Sequence, residues 1–417
     1  MVIYDVPEVD KKIGIKLYST SSHGTGGFIK GSLDDFKVFE ILHNSIVDDY
    51  SLINNGKYKF PLFSLQKAGL DSNHALIEIK KILGINLRCL GIKDSKAVST
   101  QFCTTDQNLK IKASNTPHTK LRLIGFTKDR LRKSHLVGNQ FQIVIRNMEA
   151  FNQQDFSKET SFIPNFYGLQ RFGSARLVTH LVGRQILKKD FKNAVHILLC
   201  HTSSFDTKFS TEIRKKCEDP ANYNSVLKTL PPGMDIERGI IISLLNGKDS
   251  ISSLRTVPIN IRRLFIHAYQ SFLFNECISS LIMAGEEVTK CVDKDLCFEL
   301  ENAQILGKLR KFSTGMDAVE NVPATQLAGY GLRNREGRFE NKMLKKLSEE
   351  ELTTKDFFVK EMQELSVQGG FRQLPLMVSN FEYENKNLVK FRLPVGAYAT
   401  TLLRELMKPL NPIEAGF

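Results

Sequence analysis

The sequence predicts an α+β protein with a mixed sheet, and three observations carry that prediction. Short strand-like stretches are interleaved with few helices and long connections in the first part of the chain. The middle is helical, and strand character returns after about residue 350. Strands, then helices, then strands again predict one domain inserted into another. A length of 417 residues fits two or three domains at roughly 100–200 residues each.

In chain order, residues 36–41 (FKVFEI) read as a strand after a Gly/Ser-rich opening, and 58–67 as a second, with Pro61 marking an edge or a bulge. Asp71 caps a helix whose Ala75, Leu76, Ile79, Ile82 and Leu83 recur at helical spacing, and Gly84 ends it. Residues 87–92, 120–126 and 140–146 are further strand candidates, and 173–189 begins the helical region. Pro220, Pro231 and Pro232 mark loops. After them Ile261, Leu264, Phe265, Ala268, Tyr269, Phe272 and Leu273 outline the clearest amphipathic helix of the chain. Residues 369–373 and 388–393 are strands, and 399–408 a short closing helix. The longest apolar run, 240–245, is a core segment, far short of the roughly 20 residues that span a bilayer. Residues 1–12 carry acids before bases and no apolar stretch, so no signal peptide is expected.

Seven cysteines are scattered without Cys-x-x-Cys spacing, which argues against a zinc ribbon and against a secreted disulfide framework and favours a reducing, intracellular compartment. Nine histidines never fall at His-x-x-x-His spacing, so a zincin-type metal site has no support. The net charge is +13, and residues 101–180 hold about half of it, with 12 bases against 5 acids. Within them Lys120, Arg122, Lys128, Arg130, Arg132 and Lys133 face one acid, Asp129. Such a patch favours a polyanionic partner, most often nucleic acid, although a solvated basic face without a partner has the same composition.

No Gly-x-Gly-x-x-Gly and no P-loop occurs; Gly24-Thr25-Gly26-Gly27 reads as a turn. Four segments carry candidate chemistry. Residues 91–101 run from a strand into a glycine turn that presents Asp94 between Lys93 and Lys96. A carboxylate beside cations keeps its charge and can serve as a nucleophile; a turn-capping aspartate has the same spacing. Residues 164–174 pack Asn165, Phe166, Tyr167, Gln170 and Arg171 between glycines and end at Ser174. That mixture suits a base pocket, with rings to stack and an amide to read an edge, and equally suits a packed corner. Residues 34–40 and 391–400 each set an aromatic, Phe36 and Tyr398, beside a turn.

Taken in order, these segments resemble the TruD family of pseudouridine synthases over nearly the whole chain. Gly-x-Lys-Asp-x-x-Ala-x-x-x-Gln at 91–101 is similar to that family's catalytic loop, and Asn-aromatic-aromatic-Gly-x-Gln-Arg-Phe-Gly at 165–173 to its second signature. The helical Ala-x-x-Ser-x-Leu-Phe-Asn at 268–275 and the closing Leu-Pro-x-Gly-x-aromatic-Ala-Thr, completed by Arg404-Glu405, match as well.

The resemblance implies isomerisation of uridine to pseudouridine in tRNA, at uridine 13 of the D-arm, without cofactor or metal. An inactive tRNA-binding or RNA-folding factor and a synthase acting on another RNA site are the alternatives. Asp94 stands at the catalytic aspartate. Phe36, Asn165 and Tyr398 stand at the substrate pocket, with Lys30, Lys93, Tyr167 and Arg171 as candidate RNA or site support. The implied fold is a pseudouridine synthase domain with a mainly antiparallel mixed sheet (1–189 and 351–417), holding an inserted family-specific α/β domain (190–350), the two forming a cleft. The implied setting is a cytoplasmic monomer acting on tRNA, and the basic patch is expected to line or flank the cleft. Tyr398 stands where bacterial relatives have phenylalanine, and 165–168 reads Asn-Phe-Tyr-Gly where Asn-Tyr-Phe-Gly also occurs. Each tyrosine adds a hydroxyl that needs a partner if buried. The extra length between 190 and 260 implies an archaeal-like or eukaryote-like form.

Overall fold

The computed structural model describes residues 5–107, 112–160, 163–173, 176–302, 305–333 and 336–417; Ser174, the end of the second motif, lies outside them. The main sheet is built from β1 (Phe36–Leu42), β2 (Phe60–Ala68), β3 (Arg88–Cys89), β4 (Val98–Thr104), β5 (Ala113–Asn115), β6 (Thr119–Thr127) and β7 (Leu136–Val144). The second sheet takes β8 (Leu296–Asn302), β9 (Ile305–Lys311), β10 (Asn321–Gln326) and β11 (Phe371–Gln373). Then β12 (Ser379–Glu384) and β13 (Leu388–Pro394) return to the main sheet. The main sheet runs β12-β13-β7-β1-β4-β2-β6-β5, with β3 beside β4. Only β1 and β4 pair in parallel; the other pairings are antiparallel. The sheet is thus mixed and mainly antiparallel, as expected.

Side chains alternate along β1, so Phe36, Val38 and Leu42 are buried on one face. Phe141 of β7 and Phe391 of β13 meet there with ring centroids 5.3 Å apart, and Phe36 meets Phe141 edge-on at 6.2 Å. These rings belong to the main core. Further along the sheet Phe63, Leu65, Cys103 and Leu121 form a second cluster under the helix Ser72–Leu83. That helix is capped as its sequence demands. Asp71 Oδ1 accepts from the N–H of Asn73 and His74, and Gly84 closes it at φ 69°.

The long helix Ile259–Met283 departs from its expected amphipathic form. Arg262, Gln270, Ser271, Asn275, Glu276 and Ser279 are buried along with its apolar residues. It runs through the middle of the core, so most of its circumference is covered and each polar group there is placed against a partner. Against it lies the helix Thr179–Leu187, close enough that a Cβ on Gly183 would stand 2.0 Å from the carbonyl oxygen of Phe265.

Pro61 pairs with Phe126 of β6 alone, just before the pairing with β4 begins at Leu62, and the register shifts beside it at Leu62/Phe63, as the bulge reading expects. Three expectations are corrected. Of residues 87–92 only Arg88–Cys89 form a strand, because the chain turns away toward Asp94. The run 240–245, the end of the helix Asp235–Leu245, is core only in part: Ile240 and Ile241 are buried, Ile242 and Leu245 exposed. The cysteine reading missed one bridge, Cys89–Cys103, which spans directly opposed residues of β3 and β4. Sequence spacing carries no trace of that cross-strand register. Among the described residues no helix is long and apolar enough to cross a membrane.

Candidate active site

The turn that presents Asp94 is fixed through its main chain. Ser72, at the start of the capped helix, accepts the N–H of Lys93 at 2.8 Å and donates to Gln101 Oε1 at 2.7 Å. Gln101 in turn donates to the carbonyl of Gly91 at 2.6 Å. Gln101 of the first motif is therefore a structural residue, buried in β4. Lys67 Nζ donates to the carbonyl oxygens of Asp94 and Leu70, both at 2.7 Å. The Asp94 side chain, by contrast, is exposed.

Asp94 opens onto a cavity of about 210 Å³ whose walls include Phe36, Lys93, Asn139, Phe141, Gln170 and Tyr398. A second cavity of about 750 Å³ shares Ile92, Lys93, Asp94 and Gln170 with it and adds Lys30 and Lys96. Lys30 lies over the Phe36 ring, 5.1 Å from its centroid, and its burial pulls its pKa down, with Asp94 opposing. Lys93 does not turn toward Asp94. Its ammonium pairs with buried Glu40 at 2.6 Å, and Glu40 also accepts the N–H of Phe102 at 2.9 Å.

The structure therefore brings Asp94, Phe36, Tyr398, Lys93 and Lys30 together. Asn165, Tyr167 and Arg171 stand behind the cavity wall, not in it. Asn165 is buried and its amide is engaged: Nδ2 donates to the Gln373 carbonyl at 3.2 Å, and Oδ1 accepts from Arg372 at 2.8 Å. Arg372 also reaches the Asn165 and Gly396 carbonyls, and its guanidinium lies 3.8 Å from the Tyr167 ring centroid. The Asn165 expectation is corrected to this extent: its hydrogen bonds tie it to Arg372 and Gln373 instead of offering a free edge. Tyr167 packs edge-on against Tyr398, 5.9 Å between centroids. Arg171 donates to the Tyr398 hydroxyl at 2.8 Å, supplying the partner that this extra hydroxyl requires.

Sequence reading missed four residues. Lys67 occupies the inward position after Phe63 and Leu65, and a lysine in that alternation was the available signal. Glu40 breaks the β1 alternation in the same way. Gln170 sits inside a motif that was read, and Asn139 follows Gly138, where a Cβ would stand 2.2 Å from the Leu393 carbonyl oxygen. Close approach of β7 and β13 thus sets Asn139 in the wall. Its Oδ1 is buried and finds no hydrogen-bond partner among the described residues.

None of the basic residues at 120–133 lines either cavity. The exposed Arg132 and Lys133 lead into Leu136, whose side chain lies 3.9 Å from where a Cβ on Gly91 would stand, near the turn that carries Asp94. Lys128 pairs with Asp49, and Arg130 with Asp106. Among the described residues one group, His196, Cys200 and Glu218, brings three metal-type ligand atoms within 4.8 Å of one another. It belongs to the helical region and lines neither cavity.

A carboxylate in a cavity lined by two rings and two amides, with lysines lining the adjoining cavity, suits an unstacked base and its phosphates. Comparisons with known proteins agree. The profile of the TruD family, tRNA pseudouridine synthase D, matches residues 12–406. A protein of Methanosarcina mazei named for tRNA pseudouridine synthase D is 30% identical, over 98% of this chain and 99% of its own length. One of Pyrobaculum islandicum with the same name is 29% identical, over 99% and 100%. The crystal structure of an M. mazei protein described as TruD superposes with a TM-score of 0.78 at 28% identity, covering 98% of this chain and all of that one. The chain belongs to the tRNA pseudouridine synthase D (TruD) family.

Proposed function

We propose that this chain isomerises uridine to pseudouridine in tRNA, at uridine 13 of the D-arm, with Asp94 as the catalytic residue. The observation that carries the reading is the geometry at Asp94: its main chain is pinned while its carboxylate stands free in a cavity walled by Phe36 and Tyr398. A uridine inside a structured arm must leave its stack, at a few kcal/mol. Stacking on Phe36 or Tyr398 returns roughly 1–3 kcal/mol. Asp94 then acts at the ribose, by attack at C1′ or by abstracting a ribose proton toward a glycal. The N1–C1′ bond breaks, uracil turns, C5 bonds to C1′, and C5 gives up its proton while N1 takes one, so that the product is an isomer. Lys30 and Lys96 line the adjoining cavity, and their charge suits them to backbone phosphates. Asn165, Tyr167 and Arg171 act by holding Tyr398 and the neighbouring backbone.

The chain works as two units, 1–189 with 351–417 and 190–350, with β11 handed across to the second sheet. It is read as a cytoplasmic monomer. Single-nucleotide pseudouridine mapping on unmodified tRNA, with native protein and with Asp94→Ala, tests the reading. A new signal at uridine 13 with native protein alone supports it; a signal elsewhere redirects the site; tight tRNA binding with no product leaves a binding factor. The patch is tested by reversing Arg130, Arg132 and Lys133 together. Weaker tRNA binding and a flatter salt dependence are expected, and an unchanged salt slope places the patch outside the footprint.

A further inference from the structure

The inward face of β2 carries Phe63, Leu65 and then Lys67, all fully buried. An ammonium has no place in a core unless its hydrogens are taken up and its charge is answered. Here both conditions are met by the segment that holds Asp94. Lys67 Nζ donates at 2.7 Å to the main-chain oxygen of Asp94 itself, and at 2.7 Å to that of Leu70, where β2 turns toward the capped helix. The charged groups facing it are Asp94 and Lys93 from the turn and Asp71 from the helix cap. Lys93 is held by Glu40 of β1. From the flanking strands β4 and β6, Ser99 and Thr119 lie opposite it in register.

Building on the reading of Asp94 as the catalytic residue, we propose that Lys67 is a positioning residue for the same reaction, its buried ammonium setting the height of Asp94 above the sheet and supporting its charge from below. The other ties on this turn, from Ser72 and Gln101, hold Lys93 and Gly91. Lys67 holds Asp94's own peptide and is the charged one among these ties. Methionine is unbranched, one atom shorter, and can donate nothing. Glutamine can donate but carries no charge.

Burial brings the Lys67 pKa down to about 8, against the pull of Asp94 and Asp71. Its folded value is lowered, so the charged clamp is present at neutral pH and is lost as pH rises through that range. The rate therefore has an alkaline limb that belongs to Lys67.

The test is single-turnover pseudouridine formation on unmodified tRNA from pH 6 to 9.5, with native protein, Lys67→Met, Lys67→Gln and Asp94→Ala, alongside tRNA affinity and thermal melting of each. Lys67→Met is expected to lower the rate constant about 10²-fold, the cost of a displacement near 1 Å, with tRNA affinity within about twofold, and to remove the limb near pH 8. Lys67→Gln is expected to recover part of the rate without restoring the limb. If Asp94→Ala is inactive while Lys67→Met keeps the native rate, or keeps the native pH profile at a reduced rate, the positioning role is refuted and the catalytic reading stands. If Asp94→Ala is active, the catalytic reading fails and takes this one with it. Should Lys67→Met melt before assay temperature, Lys67→Gln and the native profile decide: a native rate that stays flat through pH 8 overturns the proposal.

Discussion

Asn275 is the residue through which the central helix grips the site, and its removal has a predictable cost. The side chain is fully buried and makes three hydrogen bonds: Oδ1 accepts the Tyr167 N–H at 2.9 Å, and Nδ2 donates to the carbonyls of Tyr167 at 3.0 Å and Ile13 at 2.9 Å. In Asn275→Ala the Tyr167 N–H is left buried without an acceptor, at about 1–3 kcal/mol. The two carbonyls lose one partner each, at the lower end of that range because each oxygen has a second lone pair. The vacated amide leaves a small void. Together these put the loss at roughly 3–5 kcal/mol. Asn275→Asp should be no better, since it turns the donor into an anion facing two carbonyl oxygens. Urea unfolding followed by circular dichroism measures both. Tyr167 packs against Tyr398, so pseudouridine formation should fall with stability even at temperatures where the fold persists. A loss below about 1 kcal/mol for Asn275→Ala would refute this accounting and would mean that water or a shifted helix takes over the three bonds.

Glu40 predicts a graded effect: Glu40→Gln keeps an acceptor for the Phe102 N–H and should lose about 1–3 kcal/mol. Glu40→Ala strands a mostly buried ammonium on Lys93 and should lose about 3–5 kcal/mol; equal urea midpoints for the two would sink the pairing argument. Asp35 is engaged by Arg146 through two bonds, 2.6 and 3.0 Å, and that partner holds its carboxyl below the ordinary carboxylate value. The stability it contributes is present above pH 3.8 and is lost as pH falls through the lowered value. Asp35→Asn should therefore melt lower than the native protein at pH 7, with the gap closing on acidification; a gap that widens in acid contradicts the assignment. Gly183→Ala places a Cβ 2.0 Å from a backbone oxygen of the central helix, so the helices must part, at about 1–3 kcal/mol or more, and an unchanged melting temperature would show that they separate freely.

What could be read from the sequence followed local rules. The Asp71 cap with its closing Gly84 needs only neighbours in the chain, and so do the alternation of β1 and the glycine turn before Asp94. Segments governed by distant partners were not legible. β4, through the middle of the main sheet, carries Ser99 and Gln101 inward, because the site's support is polar there. Its pattern is that of a loop until Lys67, Ser72 and Gly91 are set beside it. The strands of the second sheet are short or weakly patterned for the same reason: their pairing supplies the order that their composition lacks. Asn165 shows the limit of motif reading at the site. Its place in the motif is right, but the side chain faces Arg372 and Gln373, residues some two hundred positions away.

The same contrast explains why the polar residues of this site fall into two kinds. Gln101, Ser72, Lys67, Glu40 and Asn165 are buried or nearly so and spend their hydrogen bonds on the protein. Asp94, Lys96 and Gln170 face the cavities. A base brought out of its stack meets a surface that need not rearrange, because the cost of ordering it was met at folding. On the proposed reading, the Asp94 carboxylate, without an ion-pair partner among the described residues, is left for the ribose instead of being spent on an internal pair. A site arranged the other way, with Asp94 paired to Lys93, would leave buried Glu40 without its partner and would have to break the Asp94 pair in each turnover. By drawing Lys93 onto Glu40, the fold keeps the cation adjacent in sequence from neutralising Asp94. Glu40→Ala should therefore harm the reaction beyond its effect on stability, by releasing Lys93 toward the carboxylate it was held away from.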